Sequence, residues 1–367
     1  MGNKKISIIG AGPAGCYAAY LLAKHAKKFD IEIFEQKKKI GKIQCGGAIT
    51  ATIKKIDSIF RTKEFEKTVV NRIKENIFHS PHNKLVIRFK NPEYVVDRIK
   101  FDNFIANKAR KAGAKINLGC RFIKIKERKE KIRFLIKKGH KEVLINTDIL
   151  IGADGALSTV CKCLNTKRNL ELAIEARCRG KFKKNTYEIF LGKEYGKFYA
   201  WIIPESANIA RIGLFNDFKK FNAFIKKIDA KILDMRSGYV PINKPVKCQC
   251  SKDIYLIGDA GCNAKASTGG GIIPSLNSAK ILAESIVKGK NFDKCAKQCK
   301  RDLYIHYIIR KILNKFSDKD YDKLFEFVKK DRRILKFLER GSRDEISLGI
   351  CNLPLSFHIL RYSKKLL

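Results

Sequence analysis

Glycines and a carboxylate near the start of the chain have the types and spacing needed to hold a dinucleotide. The segment Gly10–Gly15 has the pattern G-x-G-x-x-G, and Glu35 follows Gly15 by 20 residues. Glycines permit a tight turn and let backbone N–H groups approach a pyrophosphate, while a carboxylate at this distance can accept a ribose hydroxyl. The pattern predicts a dinucleotide site, without distinguishing FAD from NAD, formed by Gly10, Gly12, Ala14, Gly15 and Glu35.

Two later segments place an aspartate beside a glycine. Asp154-Gly155 and Gly258-Asp259 each follow a short apolar stretch that is typical of a buried strand. Ligands of open parallel sheets bind outside the carboxyl ends of the strands, so both aspartates are candidates for contacting the cofactor. Each pair alone is also compatible with a local Asx turn.

The elements that must position these residues follow from the hydrophobic pattern. A buried strand at 5–9, a helix at 16–27 and a second strand at 31–34 form a βαβ beginning around the glycine turn. The other predicted elements are a helix ending near 113, a solvated β-meander at 121–147, buried strands at 148–151 and 254–257, an antiparallel sheet at 173–245 with one helix near 218–228, a helix at 271–287, and amphipathic helices from 293 onward.

Charge and cysteine content limit the possible partners and the compartment. The chain carries 78 Lys and Arg against 36 Asp and Glu, a formal net charge of +42. This charge favours anionic partners, but its spread along the whole chain also fits a general compositional bias. The 12 cysteines occur without a secretory signal and indicate free thiols in a reducing cytosol, with no metal site. The glycines and proline of residues 10–15 interrupt the uncharged run at 6–23, so no membrane span is predicted.

In this order, the three cofactor segments resemble those of the flavoprotein group that includes para-hydroxybenzoate hydroxylase. The resemblance implies FAD, with Asp259 contacting the ribityl chain. A glycine run then opens the helix at 271–287, whose N-terminus would stabilise negative charge on the N1–C2=O edge of reduced flavin. A turn needed only for packing is the alternative. The residues concerned are Gly269, Gly270, Gly271 and Ile272.

Three further motifs resemble the geranylgeranyl reductase family. They are Gln44-Cys45-Gly46-Gly47, Asp97-Arg98-x-x-Phe101-Asp102 and Tyr199-x-Trp201-x-x-Pro204. The resemblance covers roughly residues 5 to 290, and the chain has Gly196 and Ile203 where the family usually has proline and phenylalanine. It implies that Cys45, Gly46, Gly47 and Arg98 lie at the flavin, with Cys45 as the candidate catalytic residue, and that Tyr199, Trp201 and Pro204 wall a tunnel for the substrate. A tryptophan packed in an ordinary core is the alternative.

The predicted fold is α/β. A Rossmann-like FAD-binding domain comprises residues 1–75, 94–165 and 246–290, an inserted antiparallel-sheet substrate domain comprises 76–93 and 166–245, and a basic helical region comprises 291–367. The predicted activity is FAD-dependent saturation of C=C bonds in the geranylgeranyl chains of membrane lipid precursors, with geranylgeranyl glycerophospholipids as the expected substrates. A single G-x-G-x-x-G leaves transient NAD(P)H or a small carrier such as ferredoxin as the electron donor.

Two other functions stay open. The first is an FAD-dependent hydroxylase of the same fold. The second is a flavoprotein whose main task is binding RNA or a membrane, although the sequence has no RNA-recognition motif and a nucleic-acid partner is not expected. The expected location is the cytoplasm, at the surface of an anionic membrane.

Overall fold

The computed structural model describes residues 3–25, 27–41, 45–196, 198–251, 253–340 and 344. The chain divides into two compact units. Unit 1 consists of Met1–Ile43, Ile99–Leu170 and Val240–Tyr304, and unit 2 consists of Gln44–Arg98, Glu171–Tyr239 and Ile305–Leu367. Within the described residues, no helix combines the length and the apolar character that a membrane crossing requires.

The described residues contain these strands and helices. The strands are β1 Lys4–Ile9, β2 Phe29–Glu35, β3 Ala48–Ile49, β4 Val69–His79, β5 Lys84–Val96, β6 Lys115–Leu118, β7 Cys120–Arg128, β8 Ile132–Lys138, β9 Lys141–Thr147, β10 Ile149–Gly152, β11 Leu170–Arg179, β12 Thr186–Phe190, β13 Ala200–Pro204, β14 Ile209–Phe215, β15 Lys231–Pro241 and β16 Ile254–Leu256. The helices are α1 Pro13–Ala23, α2 Ile53–Ile56, α3 Lys63–Glu66, α4 Arg98–Lys111, α5 Thr159–Cys163, α6 Phe218–Lys227, α7 Ile272–Val287, α8 Phe292–Cys295, α9 Lys297–Leu313, α10 Asp318–Lys330 and α11 Arg332–Glu339, with 3₁₀ helices at Ser58–Arg61, Lys193–Tyr195 and Gly258–Gly261.

A five-stranded parallel sheet with the order β16-β10-β1-β2-β6 forms the centre of unit 1. Its middle strand β1 buries Ile6, Ile8 and Ile9, as expected for a strand that is covered on both faces. The following helix α1 ends at Ala23 and not at the predicted residue 27. It ends there because the chain turns at His25, whose carbonyl accepts a bond from the Lys28 N–H.

The predicted β-meander of unit 1 is the antiparallel sheet β7-β8-β9. Apolar side chains on alternate positions of β8 are buried, namely Ile132, Phe134 and Ile136, whereas Arg133 between them is exposed. Successive side chains of a strand point to opposite faces, which explains why basic and apolar residues alternate along this segment. The buried face packs into the same core as Leu150 of the parallel sheet.

Unit 2 is built on an eight-stranded sheet with the order β15-β11-β14-β13-β12-β4-β5-β3. The pairings of β11 with β14, β13 with β14 and β12 with β13 are antiparallel, as predicted. The pairing of β4 with β12 is parallel, which the sequence prediction missed. Parallel neighbours need a long connection, and here the segment Ile99–Leu170 of unit 1 lies between the two strands in sequence.

Helices cover this sheet where their sequences carry an apolar stripe. Helix α6 is capped by Asp217 and buries Phe221, Phe224 and Ile225 on one face. Helix α10 begins with a capping box between Ser317 and Asp320 and buries an apolar face of three residues, Tyr321, Phe325 and Val328. The predicted helical end is therefore present as far as residue 340, and the rest of it lies outside the described residues apart from 344.

The predicted α/β class is confirmed, with a Rossmann-like parallel sheet, a separate and mainly antiparallel sheet, and helices. Residues 45–75, which we predicted to lie in the cofactor domain, group with unit 2, because β3 and β4 pair within its sheet. The remaining domain boundaries stay a prediction.

Candidate functional site

The glycine turn between β1 and α1 contains glycines with two different tasks. Gly10 has φ +104°, and a Cβ there would collide with the carbonyl oxygen of Ala153; a Cβ on Gly15 would collide with the carbonyl oxygen of Gly10. Both glycines are therefore required by packing. A Cβ on Gly12 would meet nothing within 4 Å. Gly12 thus faces open space, as a glycine that leaves room for a ligand must.

The N-terminus of α1 and the end of β2 present polar groups in the same turn. Gly12 is the N-cap of α1, no side chain caps it, and the first turn carries no acidic residue. Glu35 accepts hydrogen bonds from the N–H of Ala11, at 2.8 Å, and of Lys37, at 2.9 Å. These bonds fix the carboxylate beside the turn. The helix end provides uncapped N–H groups and a positive dipole, which together suit a pyrophosphate.

Asp154 combines a structural role with a free oxygen. Its Oδ2 accepts hydrogen bonds from the N–H groups of Thr159 and Val160, at 2.7 and 3.2 Å, and so stabilises the start of α5. Its Oδ1 is buried without a partner among the described residues. Burial raises the pKa of Asp154 above its ordinary value, and its hydrogen bonds oppose the rise. Gly155 beside it has φ +77° and, like Gly12, leaves open space where a Cβ would lie.

The third predicted segment lies against the other parts of the cofactor site. A Cβ on Gly258 would come within 2.9 Å of the Cβ of Ala14, and a Cβ on Gly271 within 3.0 Å of Asp259 Oδ1. Gly271 is the N-cap of α7, again without a side-chain cap, and Ile272 is the first residue of the helix. The two glycines before it are Gly269, at φ +65°, and Gly270, whose Cβ would approach Lys265.

Unit 1 therefore brings together all the predicted residues of the three dinucleotide segments and the glycine run. FAD fits this set, because two glycines open onto free space, two helices begin at a glycine N-cap that carries no side chain, and Asp154 Oδ1 lacks a partner in the described part of the chain. The assignment of individual residues to parts of FAD stays a prediction. Within the described residues, no three side chains of His, Cys, Asp or Glu are grouped as a metal site.

Unit 2 contains the residues that were predicted from the reductase motifs. Gln44 lies outside the described residues. The Cys45–Gly47 loop is held by Arg211, whose Nη1 donates to the carbonyls of Cys45 and Gly46, both at 3.1 Å. Gly47 has φ +64°, and a Cβ there would collide with the Arg211 guanidinium. Gly47 therefore allows the loop to pack directly on a buried arginine, whereas Gly46 leaves room for Ile203, whose Cδ1 would lie 2.6 Å from an added Cβ.

Arg211 is the centre of a buried ionic network that the sequence analysis missed. Its side chain is 9% exposed, and its Nε donates to Glu205 Oε1 at 2.8 Å. Arg177 donates to the other Glu205 oxygen from Nε, at 2.9 Å. A third Nη1 bond from Arg211 goes to the carbonyl of Val96, at 3.0 Å. Nε and Nη1 of Arg211 thus both contact acceptors, and a buried charge requires such partners.

Trp201 contacts a buried carboxyl group that was also not predicted. Its Nε1 donates to Glu175 Oε2 at 3.2 Å. Both residues pair with Gly213, Glu175 from β11 and Trp201 from β13, so the three form one row across the sheet. A Cβ on Gly213 would lie 2.6 Å from Trp201 Cε2. The missing side chain allows the indole to cross β14 and reach Glu175.

The other residues of the tryptophan motif lie in an aromatic cluster. The Tyr199 ring is 5.7 Å from that of Trp201 and 5.5 Å from that of Phe215, centroid to centroid. Pro204 is buried, and its carbonyl accepts a hydrogen bond from Asn71 at 2.8 Å. Gly196, where the family usually has proline, adopts φ +89°, a value that proline cannot adopt.

The sequence carried signals for the missed residues. Arg211 is the single charge of the otherwise apolar strand β14, Gly213 is the single glycine of that strand, and Glu175 lies between Ile174 and Ala176 in β11. A charge at such a position implies a buried partner, and a glycine implies that something approaches the backbone closely. Arg98, which was predicted from its motif, begins α4. Burial raises the pKa of Glu175, and the charge of Arg98 is a minor influence that opposes the rise.

Comparisons with known proteins agree with this geometry. Residues 8–50 match the model of the NAD(P)-binding Rossmann-like domain. A digeranylgeranylglycerophospholipid reductase of Methanocaldococcus jannaschii is 27% identical over 357 residues, which cover 88% of this chain and 89% of the relative. The resemblance to geranylgeranyl reductases is thereby confirmed.

Solved structures share the fold over almost the whole chain. A geranylgeranyl bacteriochlorophyll reductase-like protein of Thermoplasma acidophilum has a TM-score of 0.80 and 19% identity, with 100% of both chains covered. A p-nitrophenol 4-monooxygenase of Pseudomonas putida has a TM-score of 0.77 and 12% identity, with 94% of this chain and 98% of the other covered. Together with the reductase relatives, this fold identifies the chain as an FAD-dependent oxidoreductase.

Proposed function

We propose that this protein saturates C=C bonds in the geranylgeranyl chains of membrane lipid precursors, with geranylgeranyl glycerophospholipids as its substrates. The observation that carries the proposal is the aromatic cluster around Tyr199 and Trp201, in a chain whose relatives bear the name of such a reductase. An isoprenoid chain offers a substrate site only apolar surface, and rigid aromatic side chains provide matching surface at a low cost in conformational entropy.

The residues of unit 1 would hold and polarise the cofactor. Reduced FAD supplies hydride to the alkene when it is bound. Gly12 and the α1 N-terminus would contact its pyrophosphate, Glu35 a ribose hydroxyl and Asp259 the ribityl chain. The N-terminus at Gly271 would stabilise negative charge by about 1 kcal/mol.

The residues of unit 2 would bind the substrate. Tyr199, Trp201 and Pro204 would orient the isoprenoid chain and exclude water from it. Cys45 is the candidate catalytic thiol. The thiol accepts a hydrogen bond from the Gly47 N–H at 3.4 Å, which fixes its direction within the loop.

Electrons would come from NAD(P)H that docks transiently or from a small carrier such as ferredoxin. Both donors are anionic, and the net charge of +42 favours their approach. The same charge supports peripheral binding to anionic membranes. Vesicle sedimentation at low salt tests this, with more protein expected on anionic than on neutral vesicles. Equal binding to both would indicate that the net charge reflects a compositional bias and does not serve membrane binding.

Lipid analysis tests the proposed reaction directly. Purified protein reduced with dithionite under anaerobic conditions is mixed with geranylgeranyl glycerophospholipid, and the masses of the products are measured by mass spectrometry. Hydrogen added in pairs is expected. In a parallel reaction in air, a product that is absent under anaerobic conditions and carries an added oxygen atom would instead identify the hydroxylase alternative.

A variant tests the role of the thiol in this reaction. Cys45→Ser is expected to keep FAD and its reduction by dithionite, but to slow reoxidation by the lipid at least tenfold. A flavin-loaded variant with the wild-type rate would remove Cys45 from the site.

A further inference from the structure

Glu175 has an unusual environment for a carboxyl group. Its side chain lies on β11 with 4% of the residue exposed. Oε2 accepts from Trp201 Nε1, whereas Oε1 has no hydrogen-bond partner in the described part of the chain. A Cβ on Gly46, next to the candidate thiol, would lie 3.6 Å from Oε2. The carboxyl group therefore lies between two predicted site motifs, with one oxygen free.

The charges around Glu175 leave it largely uncompensated. Arg211 on β14 faces it but donates to Glu205 and to main-chain carbonyls, and Arg98 at the start of α4 contributes a weaker attraction. Glu205 repels it, and Glu175 in turn raises the pKa of Cys178 on the same strand. Burial outweighs the two arginines and raises the pKa of Glu175 to about 7.

The tryptophan favours one oxygen of Glu175 as the carrier of the proton. An indole N–H can only donate, so the oxygen it contacts must accept. A carbonyl oxygen is the stronger acceptor of a carboxylic acid, so this contact favours Oε2 as the carbonyl oxygen and Oε1 as the oxygen that carries the proton. Within the described residues Oε1–H has no acceptor, and a buried donor without an acceptor is unfavourable. A carboxyl group that is only structural gains nothing from this arrangement, whereas the arrangement leaves the proton available for transfer.

We propose that Glu175 is the general acid that protonates the alkene. The Oε1–H bond breaks as a C–H bond forms on one alkene carbon, while the hydride and its electron pair reach the other carbon from reduced FAD, which is oxidised. Glu175 is left as a carboxylate and regains a proton from water. This role rests on the proposed reductase function.

The tryptophan provides a test that does not depend on activity. Trp201 is the one tryptophan of the chain, so its emission reports on the carboxyl group it contacts. We expect the emission of the purified holoenzyme to titrate with a midpoint near pH 7, and Glu175→Gln to abolish that transition. Glu188→Gln, on β12 of the same sheet and paired with His79, is the matched control and should retain it. A transition that is absent from the wild type, or unchanged in Glu175→Gln, would overturn the proposal.

Single-turnover kinetics test the chemical role. The dithionite-reduced holoenzyme is mixed with geranylgeranyl glycerophospholipid, and flavin reoxidation is followed under anaerobic conditions. Glu175→Gln should keep the FAD content and slow reoxidation at least about 100-fold, whereas Glu188→Gln should react at the wild-type rate. The wild-type rate should fall about tenfold for each pH unit above 7, because only the protonated acid donates.

The outcomes separate the two proposals. If the wild type does not reduce the lipid, the reductase function fails and the role of Glu175 fails with it. If the wild type reduces the lipid and Glu175→Gln does so at the same rate, the reductase function stands and only the role of Glu175 is overturned.

Discussion

The two units build their candidate sites from different parts of the chain. In unit 1 the cofactor site consists mainly of main chain, with glycines that leave space and helix ends that present N–H groups beside three carboxyl side chains, Glu35, Asp154 and Asp259. In unit 2 the site consists of buried side chains on neighbouring strands, with Glu175, Arg211 and Trp201 on β11, β14 and β13. Cofactor binding at a main-chain site should be lost when a glycine gains a side chain, whereas a site made of side chains should be damaged when one of them is shortened or neutralised. Substitutions that enlarge residues in unit 1 and remove polar groups in unit 2 test this difference.

The largest effect is expected from removing the buried arginine of unit 2. Arg211→Met should lower the free energy of unfolding by about 3–5 kcal/mol, because Glu205 and several carbonyls lose a buried donor. Arg88→Met is the matched control, since that side chain is 82% exposed and lies 3.9 Å from Glu75. Its effect should stay below about 1 kcal/mol. Urea denaturation of both variants measures the difference, and equal midpoints would contradict a structural role for Arg211.

The next effect is a pH dependence of stability. The pKa of Glu175 is raised from 4.5 to about 7 by burial, so the folded state binds more protons than the unfolded state between these values. Stability therefore falls as pH rises through this window, by about 3 kcal/mol in all. Glu175→Gln should remove that loss and be more stable than the wild type at pH 8, but not at pH 4.

Glu188 is a useful comparison, because its pKa is shifted in the opposite direction to that of Glu175. The hydrogen bond to His79 lowers the pKa of Glu188. Glu188 therefore stabilises the fold at pH values above the ordinary pKa of a glutamate, and this stabilisation is lost as the pH falls through the lowered pKa. Glu188→Gln should therefore lose stability at neutral pH relative to acid pH. Urea midpoints between pH 4 and 8 measure both variants, and parallel curves for wild type and Glu175→Gln would contradict the raised pKa.

Adding atoms to the main-chain site should remove the cofactor. Gly12 has φ −74° and open space at its Cβ, so valine fits the chain itself but occupies the approach of the pyrophosphate. Gly12→Val should weaken FAD binding at least about 100-fold, roughly 3 kcal/mol. Gly238→Val, at an exposed position of β15 with equal space, should retain FAD. FAD titration of the deflavinated proteins measures this, and an unchanged affinity would contradict the cofactor site.

The same difference explains which parts of the molecule the sequence could predict. The turn around Gly12 was predictable because its residues are contiguous and the backbone does the binding. The row of Glu175, Gly213 and Trp201 depends on strand register, and a slip of one residue would place these side chains on opposite faces. The parallel pairing of β4 with β12 was missed for a related reason, since strand partners distant in sequence leave no local pattern.

The smallest expected effect comes from a glycine that serves a side chain. Gly12 and Gly213 both leave space, but at Gly213 the space is filled by Trp201, whose Cε2 would lie 2.6 Å from an added Cβ. Gly213→Ala should therefore push the indole away from Glu175 and lower the free energy of unfolding by about 1–3 kcal/mol. FAD binding should not change, because Gly213 pairs with Glu175 and Trp201 and is not among the residues predicted to contact FAD.

The readouts for this variant separate the tryptophan from the cofactor. Urea denaturation gives the stability, the pH titration of Trp201 emission should lose its midpoint near 7, and the FAD content should equal that of the wild type. Gly238→Ala is the control, because an added Cβ there meets nothing within 4 Å. If Gly213→Ala kept both its stability and the titration of Trp201, the indole would not need the space above β14 to reach Glu175. The contrast between Gly12, which leaves space for a ligand, and Gly213, which leaves space for a side chain, would then not hold.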